Sequence, residues 1–120
     1  MPATEGTLRS TLDAFRDSVN AHPQLRRLLK GWEPVIVLRA RDTGGAYSLV
    51  VQETRIESIR EDAHGGDHTV TLQADEATLT RIFAGQMNPA RAYLDGVLEV
   101  FATDRDQVKL DAISLILWGV

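Results

Sequence analysis

The stretch from Val70 to Leu110 constrains the fold more than any other part of the chain, because its start and stop signals follow one another almost without gaps. Val70, Leu72 and Ala74 alternate with Thr71 and Gln73, which predicts a strand. Asp75 suits the N-cap of a helix carrying Leu79, Ile82 and Phe83, and Gly85 suits its end. Asn88-Pro89 restarts a helix, with Asn as cap and Pro in the first turn, and Asp95-Gly96 stops it early. Val97 to Ala102 predicts another strand, with Leu98 and Val100 on one face and Val97 and Phe101 on the other. Asp104 and Gln107 then have capping-box spacing for a last helix.

The flanking sequence completes an α+β pattern. Leu8, Leu12, Phe15 and Val19 recur at helical spacing, and Pro23 opens a second helix whose Leu25, Leu28, Leu29 and Trp32 share a face. Gly31 is its expected terminator. Val35–Ala40 is a β-branched strand, Arg41 to Gly45 a loop of hairpin length, and Tyr47, Leu49 and Val51 mark a second strand. A weaker strand spans Arg55 to Arg60, where Ile56 and Ile59 are out of phase and predict a bulge. Glu61 to Asp67 is the most polar loop and reads as a solvated hairpin turn. In the last helix Leu110, Ile113 and Leu117 form one stripe, which Leu115, Ile116 and Trp118 widen until the end is nearly apolar all round.

With 120 residues the chain reads as a single domain, 1–120, with one core. The net charge of −4 and scattered basic residues argue against nucleic acid, which needs clustered Lys and Arg. They argue equally against steady docking on an anionic membrane, and no apolar run approaches the ~20 residues of a span. The absence of cysteine removes disulfides, thiolate nucleophiles and Cys-ligated metals. The N-terminus has no basic region followed by an apolar run, so no secretory signal is expected and the cytoplasm is the expected compartment.

Chemistry-bearing motifs are missing. Gly44-Gly45 and Gly65-Gly66 read as hairpin pairs, with no GxGxxG or P-loop Lys, and no GxSxG elbow occurs. His64 and His68 lie four apart beside Asp62 and Asp67, but the intervening glycines oppose a helix and no third ligand of the usual kind stands nearby. Each carboxylate has a local explanation as cap, turn residue or surface charge. No catalytic residue, metal site or cofactor is expected.

Several motifs nevertheless follow in a telling order: Val70-Thr71-Leu72, Leu79, Phe83-Ala84-Gly85-Gln86-Met87-Asn88-Pro89, Gly96-Val97-Leu98-Glu99-Val100 and Lys109-Leu110. Together they resemble the sterol carrier protein-2 (SCP2) family, with its VTL-like triplet, G-x-x-N-P, G-x-L-x-V and K-L pair. The chain departs from that pattern at Ala102 (usually glycine), Tyr47 (commonly Trp) and Thr69 (often acidic), and it ends Trp-Gly-Val without a peroxisomal tripeptide.

The resemblance implies a five-stranded, mostly antiparallel sheet covered on one face by helices, with an apolar tunnel between. It implies non-catalytic binding or transfer of a sterol, fatty acid or other acyl chain by a stand-alone protein of bacterial type. Burying ~15 methylenes at ~0.8 kcal/mol each yields ~12 kcal/mol gross, against association costs of ~4–15 kcal/mol. Such a gain is non-directional and requires no catalytic constellation. The expected lining residues are Leu79, Ile82, Phe83, Met87, Tyr93, Leu98, Val100, Ile113, Leu117 and Trp118, with Trp118 at a mouth or lid. Two rival readings stand beside this one. In one the cavity is filled by the protein's own side chains and the last helix forms the interface of a homodimer or of an accessory subunit of a lipid-related enzyme. In the other, an enzyme uses the His64–His68 loop.

Overall fold

The computed structural model describes residues 7 to 119; residues 1–6, on which the signal reading partly rests, and the terminal Val120 lie outside them. Two helices, α1 (Thr7–Asn20) and α2 (Pro23–Leu28), precede strands β1 (Val35–Ala40), β2 (Ala46–Gln52), β3 (Arg55–Arg60) and β4 (Thr69–Ala74). Helices α3 (Glu76–Phe83) and α4 (Pro89–Leu94), strand β5 (Glu99–Phe101) and helix α5 (Asp104–Trp118) follow. The strands form one sheet in the order β3-β2-β1-β4-β5. All neighbours are antiparallel except the central pair β1 and β4. This is the expected α+β architecture, five strands with helices on one face.

Alternation decides which face carries the core. Ile36, Leu38 and Ala40 lie beside Val70, Leu72 and Ala74 in the parallel register, and all six are buried in one cluster with Leu49 and Val51 of β2. Leu8, Leu12, Phe15 and Val19 of α1 and Leu79, Ile82 and Phe83 of α3 complete that cluster from the helical layer. At ~1.5–3 kcal/mol for each fully buried large apolar side chain, this layer is the main source of stability.

The opposite face is partly covered too, and here the sequence reading needs correction. Glu61 to Asp67 is not a hairpin turn, because β3 and β4 stand three places apart in the sheet. Since β1 and β4 are parallel neighbours, the chain leaving β3 must cross β2 and β1 before it re-enters the sheet. Ser48, on the outer face of β2, is fully buried beneath that crossing. Its Oγ donates to the Asp62 carbonyl at 2.6 Å and accepts from the His64 amide at 2.9 Å. Ser48→Ala removes both bonds, and a loss of about 1–2 kcal/mol is expected. Amide exchange of residues 62–66 should accelerate selectively; uniform protection in the variant would show that Ser48 does not hold the crossing.

The predicted bulge in β3 is present. Val50 faces Ser58 and Val51 faces Ile56, so Glu57 is the extra residue, which lets Ile56 be buried and Ile59 pack on the core. Helix α5 starts one residue off the expected cap: Thr103 is the N-cap, and Thr103 with Asp106 forms the capping box in place of Asp104 with Gln107. The buried Asp106 carboxylate also accepts from Trp32 Nε1 at 2.8 Å and lies 2.9 Å from His68 Nε2. Lys109 donates to the Leu28 carbonyl at 2.7 Å, closing the C-terminal end of α2. These contacts fix α5 at its N-terminal half.

Candidate functional site

The candidate site lies where the core remains unfilled, between β4–β5 and the helices α4 and α5. Strand register places Leu72 opposite Val100, side by side on the helical face of the sheet. Over this pair the chain cannot lay a long helix, because Gly85 and Gly96 end α3 and α4 with φ of +78° and +79°. Asn88 caps α4, its side chain accepting from the Arg91 amide at 2.9 Å. After α4 the amides of Val97 and Leu98 both bond back to the Ala92 carbonyl, so β5 begins only at Glu99 rather than at Val97. Two short helices and a three-residue edge strand thus leave a cavity of about 210 Å³.

Seven of the ten residues expected to face a ligand line this cavity: Ile82, Phe83, Tyr93, Leu98, Val100, Ile113 and Trp118. Leu79, Met87 and Leu117 do not. Leu79 is fully buried in the main core, and Met87 and Leu117 pack against that core from outside the cavity. Trp118 is a wall residue rather than a free lid. Its ring lies 5.9 Å from that of Phe15, which meets Phe83 edge-on at 4.9 Å, and it covers Gly85. The rim is formed instead by Tyr93, 46% exposed, and Leu94, 79% exposed.

The sequence reading missed Phe15, Leu72, Pro89, Ala90, Leu94, Gln107, Leu110, Asp111 and Ser114. Leu72 carried a signal, since it alternates with Val70 and Ala74. The α5 residues carried another: Gln107, Asp111, Ser114 and Trp118 recur at helical spacing, but three of the four are polar, and Gln107 is expected in the capping box with Asp104. Phe15 carried none, being one member of an ordinary core stripe. The Lys109-Leu110 pair divides its work, Lys109 closing α2 while Leu110 faces the cavity. Burial pushes the Asp111 carboxyl up from its ordinary value, because water is withdrawn from its charged form.

No group of three metal-capable side chains occurs among the described residues. His68 is engaged by Asp106, far in sequence from any loop partner. No helix among the described residues is long and apolar enough to cross a membrane.

Residues 12–101 match the model of the SCP-2 sterol transfer family. The chain belongs to that family. A search of curated protein sequences found no significant match. Among solved structures, this SCP-2 chain is similar to the sterol carrier protein domain 2 of Helicoverpa armigera, at 13% identity and a TM-score of 0.71, over 95% of this chain and 90% of that one. It is similar to a UbiJ-SCP2 ubiquinone synthesis protein at 16% identity and a TM-score of 0.67, over 98% and 95%. It is also similar to a sterol carrier protein 2 at 19% identity and a TM-score of 0.64, over 88% and 87%. At such identities these likenesses establish the SCP-2 fold, and the cavity's contents are a matter of its own residues.

Proposed function

We propose that this protein binds an apolar ligand in the cavity between β4–β5 and α4–α5 and carries it without a catalytic step. The observation that carries the reading is the cavity itself, walled by Phe15, Leu72, Ile82, Phe83, Leu98, Val100 and Ile113. An apolar cavity of ~150 Å³ is large enough to hold benzene, and one of about 210 Å³ holds a ring system or a folded length of acyl chain. The exposed rim at Tyr93 and Leu94 gives the remainder of a longer ligand a way out. Membership of a family described by sterol transfer supports the same reading. The absence of cysteine is compatible with work in a reducing, bacterial-type cytoplasm.

A second reading rests on a different observation. Val97, Phe101 and Leu94 are exposed around the three-residue edge strand β5, an apolar surface suited to a second copy or to an enzyme partner. The likeness to the UbiJ-SCP2 ubiquinone synthesis protein supports an accessory role of this kind.

The test is uptake of N-phenyl-1-naphthylamine, a neutral probe that fluoresces when desolvated, with mass spectrometry of an organic extract of the freshly expressed protein. Leu110→Trp, which fills the cavity from α5, should lower probe affinity at least fivefold with little change in melting temperature. Met87→Trp, outside the cavity, should leave affinity unchanged. Equal uptake by the wild type and Leu110→Trp, with no lipid in the extract, would overturn the reading.

A further inference from the structure

The cavity is not apolar all round. Gln107, Asp111 and Ser114 stand on successive turns of α5 and all three line it, a polar stripe about 10 Å long at 1.5 Å rise per residue. The rest of the wall, apart from the Tyr93 phenol and the Trp118 indole N–H, offers hydrocarbon. Among the described residues the side chains of Gln107 and Asp111 have no hydrogen-bond partner within the protein. Asp111 is exposed and Gln107 half-buried, so water serves them in the free protein, and a ligand head group that displaces that water must replace the bonds it made.

The sign of the stripe is specific. Among the described residues Asp111 is the only formally charged one on the wall, and no described Lys, Arg or His lines the cavity. The cations of α4 and α5 lie off this wall: Arg91 pairs with Asp95 at 3.2 Å, Lys109 holds the Leu28 carbonyl, and Arg105 is exposed in the first turn of α5. A ligand arriving with a carboxylate or phosphate would meet a like charge and no counter-charge. One arriving with a hydroxyl or amine would donate to the Asp111 carboxylate and the Gln107 amide oxygen.

We infer that α5 carries a head-group subsite, Gln107 and Asp111, that selects lipids ending in a hydrogen-bond donor without negative charge, an alcohol or an amine, and rejects fatty-acid anions. This rests on the cavity being a ligand site. It narrows the ligand class, because the apolar wall alone would accept a fatty acid as readily as an alcohol.

The experiment compares dodecan-1-ol, dodecylamine and dodecanoate as competitors of N-phenyl-1-naphthylamine at pH 8, for the wild type, Asp111→Asn and Asp111→Lys. Asp111 is exposed, so both variants should fold normally. The alcohol or the amine should displace the probe at a concentration at least tenfold below the acid in the wild type. Asp111→Asn should shrink that ratio severalfold, and Asp111→Lys should invert it in favour of dodecanoate. Probe uptake with equal displacement by alcohol, amine and acid, or an alcohol-to-acid ratio unmoved by Asp111→Lys, overturns the subsite while leaving the cavity reading intact. No probe uptake by any of the three proteins overturns both.

Discussion

Asp106→Ala should lower the melting temperature by roughly 12 °C, the largest loss expected from any single polar side chain described above. Asp106 is 2% exposed and is the point where three distant parts of the chain meet. Its Oδ1 accepts from Trp32 Nε1 and contacts His68 Nε2, while Oδ2 accepts from the Thr103 amide at 3.2 Å. Trp32 is 1% exposed, so truncation leaves its indole N–H without a partner and without water. An orphaned buried donor costs about 1–3 kcal/mol. Loss of the capping box on α5 adds about 1 kcal/mol. The sum, about 3 kcal/mol, converts at roughly 4 °C per kcal/mol for a domain of this size.

The same carboxylate predicts the shape of acid denaturation. Burial alone would raise its pKa, but the hydrogen bonds from Trp32, Thr103 and His68 outweigh burial and hold it below the ordinary 3.8. A depressed folded pKa means stability that is fully present above the ordinary aspartate value and lost as pH falls through the folded one. The melting temperature should therefore fall steeply below about pH 4 in the wild type. Asp106→Asn keeps an acceptor for Trp32 but has no charge to lose, so its acid limb should be shallower. Parallel acid limbs in the two proteins would remove Asp106 from the explanation.

How much of this was legible depended on the range of the interaction. Local punctuation could be read directly: Asn88 caps α4 as expected, and Gly85 and Gly96 end their helices. Asp75 was read as an N-cap by type, yet it makes no side-chain cap bond; the Glu76 amide is taken by Asp42, from the β1–β2 loop. The first amide of the helix is thus satisfied by a tertiary acceptor 34 residues away in sequence, and no spacing rule contains it. Thr103 displaced Asp104 for a related reason, because the residue at the third helical position had to be the one that Trp32 and His68 also need.

The cavity shows the same division. Strand and helix periodicity identified the apolar residues that face inward, and seven of the ten chosen line the cavity. Periodicity could not separate residues lining space from residues filling it. Leu79 and Ile82 share a helical face, but only Ile82 reaches the cavity, because Leu79 sits deeper over the sheet and is completely enclosed. Gln107 reads as the capping-box partner of Asp104, and Asp111 falls under the local explanations available to every carboxylate, which hides both. The crossing of residues 61–68 was hidden for another reason: strand order is a property of the whole sheet, and a polar loop of that length suits a hairpin equally well.

Gly85→Ala should be nearly as damaging as Asp106→Ala, and it should be visible in tryptophan fluorescence. Two separate effects converge on this residue. Its φ of +78° lies in the left-handed region, where a side chain costs about 1–2 kcal/mol. A Cβ built there would also lie 2.5–2.6 Å from Cγ, Cδ1 and Cδ2 of Trp118, so the indole must move. It has little freedom to do so inward, since Phe15 stands at 5.9 Å with Phe83 behind it. Displacement outward uncovers the inner wall of the cavity and breaks the aromatic stack, adding about 1–2 kcal/mol. The expected total is about 3 kcal/mol, with Trp118 emission shifted to the red, while Trp32, buried on its Asp106 bond, contributes an unchanged blue component. Gly96→Ala is the control: its φ is +79° but nothing lies within 4 Å of its Cβ position, so it should show the backbone cost alone and no spectral change. Equal losses in the two variants would mean that the Trp118 contact adds nothing at Gly85. A red shift confined to Gly85→Ala, with weaker uptake of N-phenyl-1-naphthylamine, would tie this helix stop to the cavity wall.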